Sequence, residues 1–243
     1  MNRYRITANG VPIDYVVVHR PAVTRRIHLE IDARGGLQVV APRRMSKRTI
    51  QTSLQQKAGH VARFLERARS RQRETPAFRY VSGERHFYLG EEIPLDVRET
   101  PGKRSRIELA DGTIRLHLPL ADLKPARDAL NRWYRRQALA YLCGRLQAWC
   151  RAADWTGGRV PEMRLRLMRR TWGSCSFRGV ITFNPHLIKA PPACIDYVVA
   201  HEVCHLKEHN HGRAFYALQD RLFPGWRETR AQLRDRGHIY LQR

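Results

Sequence analysis

Residues 195–205 read IDYVVAHEVCH, and this stretch is the strongest structural signal in the C-terminal part of the chain. Within this stretch the apolar residues Ile195 and Val199 are four positions apart, a spacing that is typical of a buried helix. On a helix, residues i and i+4 lie on one face. His201 and His205 are therefore expected to point the same way, one turn apart.

The spacing of these two histidines suits a single metal ion. Two imidazoles one helical turn apart can meet on one zinc ion at Zn–N distances of about 2.0–2.1 Å. Glu202 follows the first histidine, so its carboxylate can reach a metal-bound water as general base. The sequence therefore predicts one Zn²⁺ held by His201 and His205, with Glu202 as the catalytic residue.

A catalytic zinc normally takes three protein ligands, so a third ligand is needed. On a straight helix His209 would lie about 12 Å from His201, which is too far to share an ion. Asn210 tolerates the left-handed conformation that ends many helices, so we expect His211 to supply the third ligand from beyond the helix. A thermolysin-like arrangement with Glu228 as third ligand is the alternative.

A third histidine six residues after the second also occurs in metzincins. That class needs a methionine turn downstream of the histidines. This chain has no methionine after Met168, so the metzincin class is excluded.

The remainder of the chain alternates strand and helix patterns. Ser46 is expected to cap the first helix. Strands are predicted over 13–18, 27–31, 37–41, 87–89, 93–97, 107–109, 114–118, 165–168 and 180–183, and helices over 46–73, 126–152, 193–208 and 211–236, the last interrupted near 224–225. This pattern predicts an α+β fold with a β-rich N-terminal region at 1–120, including one long helix, and a catalytic domain at 121–243 in which the motif helix packs on a small sheet.

The composition indicates a basic protein of a reducing compartment. The formal net charge is +23, and residues 1–75 carry 16 basic against 5 acidic side chains. Such an excess attracts nucleic acid, nucleotides or other anions. The five cysteines are an odd number without CxxC spacing, and no stretch has the length of a signal peptide or membrane span. We therefore expect a cytoplasmic protein with no membrane partner.

The stretch 169–226 contains a specific combination of motifs: Trp172-Gly173-Ser174-Cys175-Ser176, Asn184, the run 196–205, Asn210-His211 and Phe215. With these residues it resembles the YgjP-like (DUF45) metallopeptidase family, which is related to SprT-type zinc proteases. The N-terminal 160 residues resemble the family more loosely, and Thr171, His209 and Tyr216 depart from its usual residues. The resemblance implies a minigluzincin-like zinc domain with ligands His201, His205 and His211 and with Glu202 catalytic.

The sequence offers further candidate site residues besides the predicted metal ligands. Trp172, Gly173, Ser174 and Cys175 are expected either to line a substrate groove, where a strand edge pairs with an extended peptide, or to form a tight turn under the zinc helix. Cys175 and Cys204 are expected to pack as small buried hydrophobes rather than to act as ligands or nucleophiles. His238 and Tyr240 are weaker candidates for donors to a developing oxyanion.

Three functional hypotheses follow. The first is a zinc-dependent hydrolase, a metallopeptidase that acts on a peptide or protein substrate. The second is a metal-dependent nucleoside triphosphate phosphohydrolase, because a basic cleft suits a nucleotide. The third is a nucleic-acid-associated protein with a zinc site, which would bind through the basic N-terminal surface and the Arg-rich helix at 61–73.

Overall fold

The computed structural model describes residues 3–8, 10–20, 26–32, 35–74, 78–101, 105–119, 123–168 and 171–242, without the side chains of 71–74 and 123–125. The chain divides into two compact units, 1–76 and 77–243. The predicted boundary at residue 120 concerns the extent of the catalytic domain. It stays a prediction, because a division into compact units does not show which residues catalysis needs. No helix among the described residues is both long and apolar enough to span a membrane.

The first unit is a four-stranded sheet covered by two helices. Its elements are β1 (Arg3–Ala8), β2 (Val11–His19), β3 (His28–Ile31), β4 (Leu37–Ala41), α1 (Lys47–Gln56) and α2 (Ala58–Glu74). Strand β1 is not among the strands predicted from the sequence, because Ile6 is its only large aliphatic side chain and its position is fixed by pairing with β2. The predicted pairing of β3 with β4 is confirmed as antiparallel; residues 33 and 34 of their connection lie outside the described residues.

The helix predicted over 46–73 is two helices. Ser46 caps α1 as predicted, since its side chain accepts a hydrogen bond from the Thr49 backbone N–H. Lys57 leaves the helical conformation, with φ −110° and ψ 24°. Ile50 and Leu54 are buried before the break, and Val61 and Leu65 are buried after it. Both helices therefore pack an apolar face into the core that they share with the sheet.

The second unit begins with another four-stranded sheet, which packs on the longest helix. These elements are β5 (Arg85–Tyr88), β6 (Glu91–Glu99), β7 (Arg106–Ala110), β8 (Thr113–Leu118) and α3 (Leu123–Ala152). Leu95, Leu116 and Trp133 lie in one core with the C-terminal helices. The Tyr134 hydroxyl donates a hydrogen bond to the Phe87 carbonyl, which ties α3 to β5.

The two four-stranded sheets have the same topology. Their strand orders are β1-β2-β4-β3 and β5-β6-β8-β7. In each, the outer pairs are antiparallel and the central pair is parallel. The chain therefore builds one supersecondary unit twice, a repeat that the side-chain pattern of the sequence does not reveal.

A three-stranded sheet and three helices complete the second unit. They are β9 (Met163–Leu165), β10 (Gly173–Cys175), β11 (Ile181–Phe183), α4 (Pro192–Cys204), α5 (Arg213–Leu222) and α6 (Trp226–Tyr240), with short 3-10 helices at Asp154–Thr156 and Pro185–Lys189. The strand order is β10-β11-β9, so β10 is an edge strand. It packs on α4. The predicted α+β fold is confirmed.

Two of the predicted boundaries in this region are wrong, and one interruption is confirmed. The motif helix ends at Cys204 instead of near residue 208, and β9 lies at 163–165 instead of 165–168. The final helical stretch is interrupted as predicted, with Gly225 at φ +81° between α5 and α6. Glycine adopts such a conformation without the steric cost of a Cβ.

A charged cluster fixes α4 against α3. Asp196 on α4 accepts a hydrogen bond of 2.8 Å from Arg145 Nη2 and one of 3.1 Å from Trp149 Nε1, and it also bonds Arg145 Nε. Its side chain is only 18% exposed. Because Asp196 lies five residues before His201, this cluster helps to set the position of the motif helix.

We predict that Asp196→Ala lowers the free energy of unfolding by about 2 kcal/mol, since hydrogen bonds to a charged group contribute about 1.5–3 kcal/mol. Urea unfolding followed by tryptophan fluorescence measures the change. The matched control is Asp235→Ala, whose side chain is 68% exposed and pairs with Arg234. The control is expected to change stability by less than about 0.5 kcal/mol. Equal losses in both variants would contradict the assignment.

Candidate metal centre

Three imidazoles converge at the end of α4. Nε2 of His211 lies 3.0 Å from Nε2 of His201 and 3.2 Å from Nε2 of His205. The candidate ligand atoms of the three residues all lie within 4.8 Å of one another. The structure thus brings together the three histidines that the sequence predicts as ligands.

The other ring nitrogens of the two helical histidines are fixed by oxygen acceptors. Nδ1 of His201 lies 3.1 Å from Oε1 of Gln219, and Nδ1 of His205 lies 2.9 Å from the Glu208 carbonyl oxygen. Because both oxygens accept, each ring donates from Nδ1 and keeps a free lone pair on Nε2. This is the arrangement that orients metal-binding histidines in proteins.

His211 reaches the cluster because the helix stops. After Cys204 the backbone continues in tight turns, with the Leu206 N–H donating to the Val203 carbonyl and the Lys207 N–H to the Cys204 carbonyl. The hydrogen bond from the His205 ring to the Glu208 carbonyl holds this turn. The chain can then return and present His211 beside the two helical histidines.

Phe215, at the start of α5, supports all three imidazoles. Its ring centre lies 4.9, 4.5 and 4.7 Å from those of His201, His205 and His211. Phe215 is completely buried. It therefore gives the three rings a common apolar base.

The cluster fits a divalent metal such as zinc. Burial, with a smaller contribution from the neighbouring imidazoles, lowers the pKa of His201 to about 3, and burial also lowers the pKa of His205. Neutral imidazoles are the form that binds metal. In a tetrahedral zinc site the nitrogens lie about 3.3 Å apart, close to the separations measured between the Nε2 atoms.

The alternative third ligand is not part of the cluster. Glu228 is exposed on the first turn of α6, and the described residues whose ligand atoms gather at this point are the three histidines. In the structure His211, not Glu228, lies with His201 and His205.

Glu202 lies on the buried side of the motif helix. It is 4% exposed, and its Oε2 has no hydrogen-bond partner among the described residues. Burial raises the pKa of this carboxyl to about 8. A Cβ on Gly173 would lie 2.6 Å from Glu202 Oε1. The carboxylate and the edge strand β10 therefore approach each other so closely that a side chain at residue 173 would collide.

The segment 172–175 predicted to line a groove comprises Trp172 and the whole of the edge strand β10. Gly173, Ser174 and Cys175 pair with β11 and with no other described strand. Trp172 packs against α6, where a Cβ on Gly237 would lie 3.1 Å from its ring. Within the described part of the chain the other edge of β10 has no partner strand, and Glu202 lies against this strand at Gly173.

Asn184 organises the approach to this strand. Its backbone N–H donates to the Trp172 carbonyl, and its side-chain amide donates to the carbonyls of Met168 and Thr171. Asn184 is completely buried. It thus has a structural role beside β10.

The histidine cluster does not include the other candidate residues, Cys175, Cys204, His238 and Tyr240. Burial raises the pKa of Cys175 to about 11 and that of Cys204 to about 12, so both thiols are protonated at neutral pH. Tyr240 packs edge-on against Phe87, with ring centres 5.2 Å apart. His238 is half-buried on α6.

Sequence reasoning missed Gln219 as the partner of His201. A weak signal existed, because Gln219 follows Phe215 by four residues and both lie on the buried face of α5. A polar residue on the apolar face of an amphipathic helix is expected to have a buried partner. Which partner it has depends on how α5 packs on α4.

One comparison with known proteins shows the family of the chain. A family model described as YgjP-like, metallopeptidase domain, matches residues 25–236. No curated protein matches the chain. Among solved structures, the chain is similar to the crystal structure of the metallopeptidase zymogen of Pyrococcus abyssi abylysin, with 22% identity, a TM-score of 0.36, and coverage of 39% of this chain and 93% of that chain.

We predict that His211→Ala lowers zinc affinity by more than about 100-fold, since losing even an outer partner of a metal ligand costs about 10–100-fold. Competition against a chromogenic zinc chelator measures the affinity. Glu228→Ala is the decisive comparison and is expected to bind zinc like the unaltered protein. A large loss in Glu228→Ala with none in His211→Ala would reverse the assignment.

Proposed function

The chain belongs to the YgjP-like family of metallopeptidase domains, and from this premise we propose that it hydrolyses peptide bonds with one zinc ion held by His201, His205 and His211 and with Glu202 as general base. The observation that carries the proposal is the position of Glu202. Its buried carboxylate, one oxygen of which has no hydrogen-bond partner among the described residues, immediately follows the first histidine of a three-imidazole cluster.

When bound, zinc supplies a Lewis acid that polarises a carbonyl and makes water nucleophilic near neutral pH. The residues of the chain do the rest. His201 and His205, fixed through Nδ1, hold the cluster in one geometry. A Glu202 oxygen takes the proton of the attacking water and returns it to the nitrogen of the leaving amine.

The open edge of β10 supports a peptide as substrate. A strand at the edge of a sheet has backbone N–H and C=O groups without partners, and an extended peptide can pair with them. Gly173, Ser174 and Cys175 form this edge next to Glu202. We propose that the backbone of residues 173–175 aligns the substrate, with Trp172 at the end of the groove.

The two other hypotheses stay predictions. A nucleoside triphosphate would use the same metal and base, so phosphate release is the competing activity to measure. Nucleic-acid association would involve the basic N-terminal unit, where Arg63, Arg67 and Arg69 are exposed on α2; the side chains of Arg71 and Arg73 lie outside the described residues.

We predict that Glu202→Gln lowers peptide hydrolysis by about 100-fold or more, because general acid–base catalysis contributes about 10²–10⁴-fold. Zinc content is expected to stay at one ion per chain. The assay follows cleavage of casein and of a mixed peptide library by mass spectrometry, beside phosphate and pyrophosphate release from each nucleoside triphosphate. Full peptidase activity in pure, zinc-loaded Glu202→Gln would sink the assignment of the base.

We predict that Gly173→Ala lowers kcat by at least about tenfold, because a displacement of about 1 Å in a catalytic group can cost 10²-fold. The added Cβ would lie 2.6 Å from Glu202 Oε1, so the carboxylate or the strand must move. Zinc affinity is expected to stay unchanged. Gly144→Ala is the matched control, since a Cβ at this position of α3 would have no described heavy atom within 4 Å apart from its chain neighbours and the backbone of its own helix. Normal kcat in Gly173→Ala would refute the contact.

A further inference from the structure

Arg230 is an exposed cation without an ion pair to any described residue, on the second turn of α6. Its neighbours on the helix differ in this respect. Arg227 bonds Asp220 through both terminal nitrogens, at 2.6 and 3.3 Å, and Arg234 pairs with Asp235. Arg230 therefore has a charge that remains available to a ligand.

A stack of three aromatic rings joins Arg230 to the metal cluster. Trp226 is nearly parallel to Tyr197 and to Tyr216, with interplanar angles of 8° and 10° and ring centres 6.4 and 5.4 Å apart. Cζ of Arg230 lies 5.8 Å from the centre of the Trp226 ring. A guanidinium at this distance is attracted by the face of the indole.

The outer rings of the stack each adjoin a candidate ligand. The ring centre of Tyr197 lies 5.9 Å from that of His201, and the ring centre of Tyr216 lies 6.4 Å from that of His211. The three aromatic rings and Arg230 thus form a wall beside the imidazole cluster, which we call the Arg230 wall.

The centre of this wall is held rigidly. Trp226 Nε1 donates a hydrogen bond of 2.7 Å to Asp220 Oδ1, and Arg227 bonds the same carboxylate. Asp220 is therefore already engaged by two donors. A fixed indole limits where the Arg230 side chain can lie, which lowers the entropy lost when it binds a ligand.

The Tyr197 hydroxyl is available to a ligand. Tyr197 is 8% exposed, and its hydroxyl is not fully buried and makes no hydrogen bond to a described residue. A phenolic hydroxyl in this position can donate a hydrogen bond to a bound acceptor.

We propose that Arg230, with Tyr197 and Tyr216, forms a carboxylate-binding subsite beside the metal cluster, so that the preferred peptide carries a carboxylate near the bond that is cut. The proposal rests on the proposed peptidase function. A guanidinium presents paired N–H donors that match the two oxygens of a carboxylate, and a phenol can add a third hydrogen bond. The carboxylate can come from an acidic side chain or from the C-terminus of the substrate.

Three peptides separate these sources. Acetyl-Ala-Ala-Glu-Ala-amide carries a side-chain carboxylate, acetyl-Ala-Ala-Gln-Ala carries a free C-terminal carboxylate, and acetyl-Ala-Ala-Gln-Ala-amide carries neither. Binding is measured by isothermal titration to zinc-loaded Glu202→Gln, in which the peptides stay intact. We expect one of the charged peptides to bind about tenfold more tightly than the neutral one, as for a charge-assisted hydrogen bond.

The dependence on Arg230 decides the proposal. Adding Arg230→Gln is expected to remove the preference, and Arg230→Lys to keep part of it, because a lysine retains the charge without the paired donors. Arg234→Gln, one helical turn further along, is the matched control and is expected to keep the full preference. No preference in the parent protein, or a preference that survives Arg230→Gln, overturns the subsite.

Cleavage by the protein with Glu202 intact distinguishes this outcome from failure of the proposed function. If all three peptides are cut at equal rates with and without Arg230, the subsite is wrong while the peptidase assignment stands. If none is cut, the library yields no cleavage, and an Arg230-dependent binding preference remains, the subsite stands while the peptidase assignment fails. A binding preference that does not weaken in high salt would also contradict an exposed charge as its source.

Discussion

The site depends on one geometric constraint: three imidazoles cannot meet at one point if all of them lie on a straight helix. Two lie on α4, at His201 and His205, and the third must come from outside it. The helix therefore ends at Cys204, and the following turns bring the chain back so that His211 closes the cluster. The buried ring of Phe215 packs against all three imidazoles.

The motif helix α4 also places a carboxylate, that of Glu202, on its buried side. Glu202 needs room for a carboxylate in a region that is otherwise apolar, and the edge strand β10 passes directly over it. Gly173 permits this approach because it has no Cβ. One residue thus belongs both to the sheet edge that we propose for substrate pairing and to the space around the proposed base.

The surrounding elements hold α4 from several sides. Asp196 connects it to α3 through Arg145 and Trp149, and Gln219 of α5 fixes the ring of His201. The stack of Tyr197, Tyr216 and Trp226 takes one residue from each of α4, α5 and α6. The packing of these three helices therefore determines the shape of the Arg230 wall and places it beside the histidine cluster.

The α+β class, most strands and helices, and the spacing that puts His201 and His205 on one face could be predicted from the amino-acid sequence. These features follow from periodicity and from local backbone preferences, which act over a few residues. Three features could be seen only in the folded chain: His211 rather than Glu228 joins the cluster, Gln219 orients His201, and Gly173 borders Glu202. Each of these contacts joins separate elements, and the relative position of packed elements is set by long-range burial, which spacing along the chain does not encode.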